Sequence, residues 1–113
     1  MSKSDEQWLF LKDVAKLIIY ADDLGYKLTG GELYRTEEQQ QIYLNEGKSQ
    51  VSRSNHQDRL AIDLNLFVEG EIQWVKNEYW EALGKYWKAI SPKNKWGGDY
   101  KTLKDPYHFQ RDI

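Results

Sequence analysis

The sequence predicts an α+β fold, a small antiparallel sheet flanked by helices, and three observations carry that expectation. Near the start, Trp8, Leu11, Val14, Ala15, Ile18 and Ala21 recur at intervals of three and four, the spacing that lines one face of a helix. In mid-chain, Leu60 to Phe67 alternates between apolar and smaller or polar residues, the period of a strand with two unlike faces. Directly after it, Glu69-Gly70 forms a hairpin turn into Glu71 to Val75, which makes the sheet antiparallel.

The remaining elements follow from punctuation. Ser4-Asp5-Glu6-Gln7 has the form of a capping box with Ser4 as N-cap, and Gly25 supplies the stop of the first helix. Tyr26 to Tyr34 carries Gly30-Gly31 and is expected to end in a short strand. Thr36 caps a second helix that runs to Asn45, with Glu37 and Glu38 in its first turn and Gly47 beyond its end. Lys48 to Gln57 is polar and reads as a loop. A third helix spans Asn77 to Ile90, with Tyr79, Leu83, Tyr86, Trp87 and Ile90 as its apolar face, and Ser91-Pro92 stops it. Trp96-Gly97-Gly98-Asp99 belongs to a loop leading to a last strand around Tyr107 to Gln110.

Composition bounds what this fold does. A chain of 113 residues fits one domain, residues 1–113, with enough core to stand without disulfides. Apolar residues are 40% and charged residues 30%, a globular balance. Five Trp, eight Tyr and three Phe mostly fill the core, and the rest are candidates to line a groove. The net charge of −2 and the scattered Lys and Arg residues argue against nucleic acid and anionic membrane as partners. Without cysteine there is neither a disulfide nor a thiolate metal site. The charges that interrupt Trp8 to Leu24 prevent that stretch from spanning a bilayer. No signal peptide is legible at the N-terminus, so synthesis in the cytoplasm is expected, and so is a monomer.

One residue in the alternating strand is out of place. Asp63 in mid-strand is disfavoured, and costly if its charge is buried alone. Either its face is solvated, or Arg53 or Arg59 pairs with it, or it binds a metal. The only two histidines, His56 and His108, favour the last. His56 sits seven residues upstream, and His108 shares a strand face with Gln110. Two imidazoles and one carboxylate leave a zinc ion a net positive charge and an open position, the arrangement of catalytic zinc. Asp105, three residues before His108, is either a turn initiator before Pro106 or a carboxylate that takes a proton from an attacking water.

Ser54-Asn55-His56, Leu60-Ala61-Ile62-Asp63-Leu64, Trp96-Gly97-Gly98-Asp99 and Asp105-Pro106-Tyr107-His108-Phe109, together with Leu33-Tyr34-Arg35-Thr36, resemble in order the motifs of the peptidase M15 family over roughly residues 24 to 110. This family comprises zinc D-Ala-D-Ala carboxypeptidases and dipeptidases and the L-alanyl-D-glutamate endopeptidases of phage endolysins. The resemblance implies a Hedgehog/DD-peptidase-like fold, zinc held by His56, Asp63 and His108, and Asp105 as catalytic acid/base. It implies Arg35 as the residue that meets a substrate carboxylate or oxyanion, with Gln40 and Ser54 holding substrate. For Arg35 an ion pair with Glu38 is the alternative, and for Gln40 and Ser54 an ordinary polar surface. The implied partner is a peptidoglycan stem peptide, reached after phage-type release. Two departures stand out. Many members have glycine where this chain has Arg59, which is expected to narrow the groove or meet an acidic peptide. The proline before the last histidine lies one place earlier than is common.

Overall fold

The computed structural model describes all residues, Met1–Ile113. Helix α1 spans Lys3–Asp23, followed by strand β1 (Lys27–Gly30), helix α2 (Glu37–Asn45), a 3₁₀ turn at Asn55–Asp58 and strand β2 (Ala61–Val68). Then come β3 (Glu71–Ile72), α3 (Glu78–Ile90), β4 (Asn94–Trp96), a second 3₁₀ turn at Gly97–Asp99 and β5 (His108–Arg111). The sheet runs β1-β2-β5-β4, with β3 paired to the end of β2 on the edge away from β1, and every pairing is antiparallel. The α+β expectation is met.

Strand β2 is the pivot. Leu60, Leu64 and Leu66 are buried, and Ile62 and Val68 pack against the same core. The intervening positions, Asp63 and Asn65 among them, turn to the opposite face. On β5, Phe109 enters the core between Trp80 and Trp87, whose ring centroids lie 6.3 and 5.8 Å from its own. Helices α1 and α3 cover this face with Phe10, Val14, Leu17, Ala21, Trp80, Leu83 and Trp87. The indole N–H groups of the three buried tryptophans are all satisfied: Trp80 donates to the Gln73 carbonyl (3.0 Å), Trp87 to Lys95 (3.0 Å) and Trp96 to Pro106 (2.9 Å). Gly84, in the middle of α3, costs the helix about 1 kcal/mol relative to alanine. A Cβ there would fall 2.2 Å from the Trp96 ring, so the glycine is what lets β4 lie against the helix.

Several expectations change. The N-cap of α1 is Ser2, which forms the capping box with Asp5, so the helix starts earlier than Ser4. Its buried face is Glu6, Phe10, Asp13, Val14, Leu17 and Ala21, while Trp8, Leu11 and Ile18 are exposed. Two apolar stripes exist on this helix. The buried one carries Phe10 with two acids that have partners: Glu6 accepts from Lys93 Nζ (2.9 Å) and Arg111 Nε (2.6 Å), and Asp13 accepts from Asn94 Nδ2 (3.1 Å). Acidic residues hid that face from a hydrophobic count. Strand β1 opens the Tyr26 to Tyr34 segment rather than ending it, β3 stops at Ile72, and β4 is a strand within a stretch read as loop. The 3₁₀ turn at Asn55–Asp58 likewise interrupts the polar loop.

Candidate metal centre and its cleft

Asp63 and His108 are cross-strand partners in the β2–β5 pairing, so their side chains leave the sheet side by side. His56 reaches the same point from the Asn55–Asp58 turn. Ser54 builds that turn: its hydroxyl accepts from the His56 N–H (3.2 Å), and the Gln57 side chain accepts from the Ser54 N–H (3.0 Å). Asn55 ties the turn to the last strand by donating to the Arg111 carbonyl (3.0 Å). The result is three donor atoms, one each from His56, Asp63 and His108, all within 4.8 Å of one another.

The hydrogen bonds around the cluster fix which atoms face inward. His56 Nδ1 donates to the Leu33 carbonyl (2.9 Å), an oxygen that can only accept. His108 Nε2 donates to Gln110 Oε1 (2.7 Å), while the other end of that amide donates to the Asp112 carboxylate (2.6 Å). With protons on the outer nitrogens, His56 Nε2 and His108 Nδ1 present lone pairs. Each lies 3.3 Å from Asp63 Oδ1, and they are 3.2 Å from each other. Three acceptors pressed together need a cation or a proton between them. The proton route shows in the electrostatics. Burial works against a charged His108, yet Asp63 and Gln110 outweigh it and raise its pKa. Burial likewise pushes the Asp63 carboxyl up, and the two histidines overcome it, holding it well below the usual carboxylate range. A divalent metal would meet the same demand with both imidazoles neutral, and the outer acceptors at Leu33 and Gln110 are the supports such ligands require.

Asp105 stands beside this cluster. Gly97 makes its position possible: Asp105 N donates to the Gly97 carbonyl (3.0 Å), and a Cβ on Gly97 would lie 2.3 Å from the Asp105 carbonyl oxygen and 2.9 Å from His108 Cβ. Trp96, anchored to Pro106, closes the other side of the turn. The Trp-Gly-Gly-Asp segment is therefore the cradle of the Asp105 to His108 turn. Asp105 Oδ1 is buried without a hydrogen-bond partner. Burial, and after it the charge of Asp63, pushes this carboxyl's pKa up.

A cleft of about 680 Å³ opens on the cluster, lined by Asp63, Asp105, His108, Arg35, Ser54 and Tyr100 among others. A second hollow of about 500 Å³ continues past it toward Gly31, Asn65 and Tyr107, sharing Glu32, Lys48, Asp63, Leu103 and Asp105 with the first. Asp63 and Asp105 line both hollows, so the donor cluster lies where the two adjoin. Arg35 is on the wall, but its partner is Glu32 and not Glu38: Nε donates to Glu32 Oε1 (2.7 Å), Nη2 pairs with the same oxygen, and the guanidinium lies 4.6 Å from the Tyr43 ring centre. Gln40 is buried behind it. Its Oε1 accepts from Arg35 Nη1 (2.7 Å) and its Nε2 donates to Val51 O (2.7 Å) and Ser49 Oγ (3.0 Å). Both ends of the Gln40 amide are thus engaged by the protein.

Neither arginine expected near Asp63 pairs with it. Arg53 bonds Asp58 (2.6 Å) and Arg59 lies over Tyr34, 4.1 Å from the ring centre. Arg59 does not line the groove. Its backbone is left-handed (φ 56°), as the residue that ends the 3₁₀ turn, a conformation that glycine adopts without strain. Three site residues escaped the sequence reading: Glu32, Tyr100 and Gln110. Gln110 accepts from Tyr100 Oη (3.1 Å) as well as from His108. Burial, with nearby Asp105 and other carboxylates, pushes the Tyr100 phenol up to about 12, so it stays a donor. Gln110 had a legible signal, its shared face with His108. The other two reach the site through loops.

Comparison with known proteins agrees with this geometry. The peptidase M15 family model described as D-alanyl-D-alanine carboxypeptidase matches residues 47–111. The chain is 33% identical over 97 residues to the L-alanyl-D-glutamate peptidase of Listeria phage A118, covering 84% of this chain and 34% of that protein. It therefore spans about a third of that curated relative's length. Among solved structures, the Serratia marcescens L-Ala D-Glu endopeptidase ChiX superposes with a TM-score of 0.63 at 28% identity, covering 75% of this chain and 66% of that one. The vancomycin-resistance D,D-pentapeptidase VanY, solved with Zn(II), gives a TM-score of 0.62 at 19% identity over 90% and 70% of the two chains, a likeness of fold. With more than half of its residues matched by the family model, the chain belongs to the peptidase M15 family.

Proposed function

We propose that this chain, acting as one domain, is a zinc peptidase that hydrolyses a peptide bond in the stem peptides of bacterial peptidoglycan, the bond being that between L-alanine and D-glutamate. The observation that carries the proposal is the pairing of an inward-facing acceptor triad, His56, Asp63 and His108, with a buried carboxylate oxygen on Asp105 that has no partner. When bound, zinc supplies a Lewis acid that polarises the scissile carbonyl and makes water a nucleophile near neutral pH. Two neutral imidazoles and one carboxylate are a donor set of the catalytic kind.

The chain's own residues do the rest. Asp105 Oδ1 accepts a proton from the attacking water and passes it to the leaving amine, a contribution of about 10²–10⁴-fold in rate. Its raised pKa suits a group that must both take and give a proton. Arg35, braced by Glu32 and Gln40, directs donors at the negative charge that develops on the substrate. Ser54 acts by holding the His56 turn as well as by lining the cleft. Tyr100 and Gln110 keep the His108 ring in its metal-binding tautomer.

Two adjoining hollows that share Asp63 and Asp105 give a substrate more room than a terminal residue needs, which supports cutting within a peptide. The family description favours a second reading, removal of a terminal D-alanine. Digestion of purified peptidoglycan by the zinc-loaded protein, with mass spectrometry of the products, separates the two. New amino termini on glutamate are expected. Free D-alanine as the only product would replace the endopeptidase by the carboxypeptidase, and no product with stoichiometric zinc bound would leave a non-catalytic binding module. Delivery to the wall is assigned to phage-type release, and no helix is long and apolar enough to cross a membrane.

A further inference from the structure

We propose that Lys48 and Lys101, carried by the two loops that meet across the cleft, select a substrate bearing a free carboxylate on the residue that follows the scissile bond; this rests on the peptidase reading above. The chain has a formal charge of −2, yet Arg35, Lys48, Arg53 and Lys101 all line the larger hollow, and Lys104 joins Lys48 in the smaller. The fold gathers cations that are scattered in the sequence.

Their availability differs. Arg35 is held by Glu32 and Gln40, Arg53 by Asp58 at 2.6 Å, and Lys104 donates to the Tyr100 carbonyl at 3.2 Å. Lys48 has one ion-pair contact, the exposed Glu46 at 3.3 Å, and Lys101 is exposed with no hydrogen-bond or ion-pair partner. The acids on the same wall are committed elsewhere. Glu32 is taken up by Arg35, Asp63 belongs to the donor triad, and Asp105 is the proton carrier. Lys101 therefore faces the groove unpaired, and Lys48 is held only by Glu46, an exposed carboxylate outside the groove lining. Their loops are joined across it, because Thr102 Oγ1 donates to Gln50 Oε1 (3.0 Å), one residue from Lys101 and two from Lys48.

The chemistry that fits is specific. A glutamate whose amine lies in the scissile amide has two carboxyl groups; one continues the peptide and the other stays free. Lysine ammonium groups are point charges suited to such a group at a groove rim, and a charge-assisted contact of this kind is enough to set a preference of about tenfold.

The test uses the zinc-loaded protein and a stem peptide whose scissile amide is reduced to an amine, so that it binds without turnover. Calorimetry compares three forms: all carboxylates free, the glutamate carboxylate amidated, and the C-terminal carboxylate amidated. The wild type is expected to lose about tenfold in affinity on glutamate amidation and little on C-terminal amidation. The Lys48→Gln/Lys101→Gln double variant should bind the first two forms within about twofold, and Lys48→Arg/Lys101→Arg should restore the preference. Equal binding of the first two forms by wild type, a larger effect of C-terminal amidation, or undiminished discrimination by the Gln variant would each overturn the proposal. Thermal melts confirm that the variants are folded. Cleavage of the unreduced peptide is scored separately: its failure overturns the peptidase reading, whereas the binding ratios judge the lysines alone.

Discussion

The two faces of the sheet are built from the same strands to opposite specifications. On β5, Phe109 lies fully buried among tryptophans, and one residue to either side His108 and Gln110 enter a polar cleft. On β2, Leu64 and Leu66 belong to the core while Asp63 completes the donor triad. The helical face is closed by apolar area and by indole N–H groups that all find carbonyls. The cleft face keeps an acceptor cluster and a carboxylate oxygen unmatched. The lesson is a division of labour within one residue period: the core fixes the backbone, and the backbone then holds polar groups in an arrangement they would not choose for themselves.

Experiments that break or sharpen this contrast differ in size. The largest effect is expected from removing the metal or replacing His56 by Ala: hydrolysis disappears, while far-UV circular dichroism and cooperative unfolding persist, because the core cluster contains no ligand residue. Unfolding on chelation would show that the two faces are not independent. Next, Asp105→Ala should retain stoichiometric zinc by elemental analysis and lose about 10²–10⁴-fold in turnover. Undiminished hydrolysis would remove Asp105 from its role.

On the opposite face, Trp87→Ala should cost about 3–5 kcal/mol in urea denaturation, since it strips the ring between Phe10 and Phe109 and the hydrogen bonds to Lys95 and Gln110.

A pH effect belongs to the helical face as well. Hydrogen bonds from Lys93 and then Arg111 hold the Glu6 carboxyl below its ordinary value. A depressed folded pKa contributes stability above the unfolded value and loses it as pH falls through the folded one. Glu6→Gln should therefore be less stable than wild type at neutral pH, and the gap should close on acidification below the ordinary carboxylate range. A gap that does not change with pH would mean that the charge on Glu6 is irrelevant. Smallest is Arg59→Gly, where relief of the left-handed backbone offsets the lost stacking on Tyr34; the net should stay within about 1 kcal/mol.

What the sequence disclosed follows the same division. Strand β2, the α2 and α3 boundaries and the grouping of Asp63 with the two histidines are legible, because each rests on local period, a cap or a rare residue type. The buried face of α1 is not. Glu6 and Asp13 look like solvent residues until Arg111, Lys93 and Asn94 arrive from the far end of the chain. Strand β4 is hidden because three residues bounded by lysine and glycine carry no period. The setting of Gln40 is hidden for a related reason: a buried amide that braces an arginine has the same sequence appearance as one that lies open to a ligand.

Strand order has a consequence for how the molecule comes into being. The last strand, β5, lies in the interior of the sheet between β2 and β4, and it supplies His108. On a ribosome, where N-terminal parts emerge first, a nascent chain short of residue 108 has two of the three ligands and an open seam where the central strand belongs. Such pairing across the whole length of the chain is slow to form. Birth order alone thus keeps the donor triad incomplete until β5 is threaded into place.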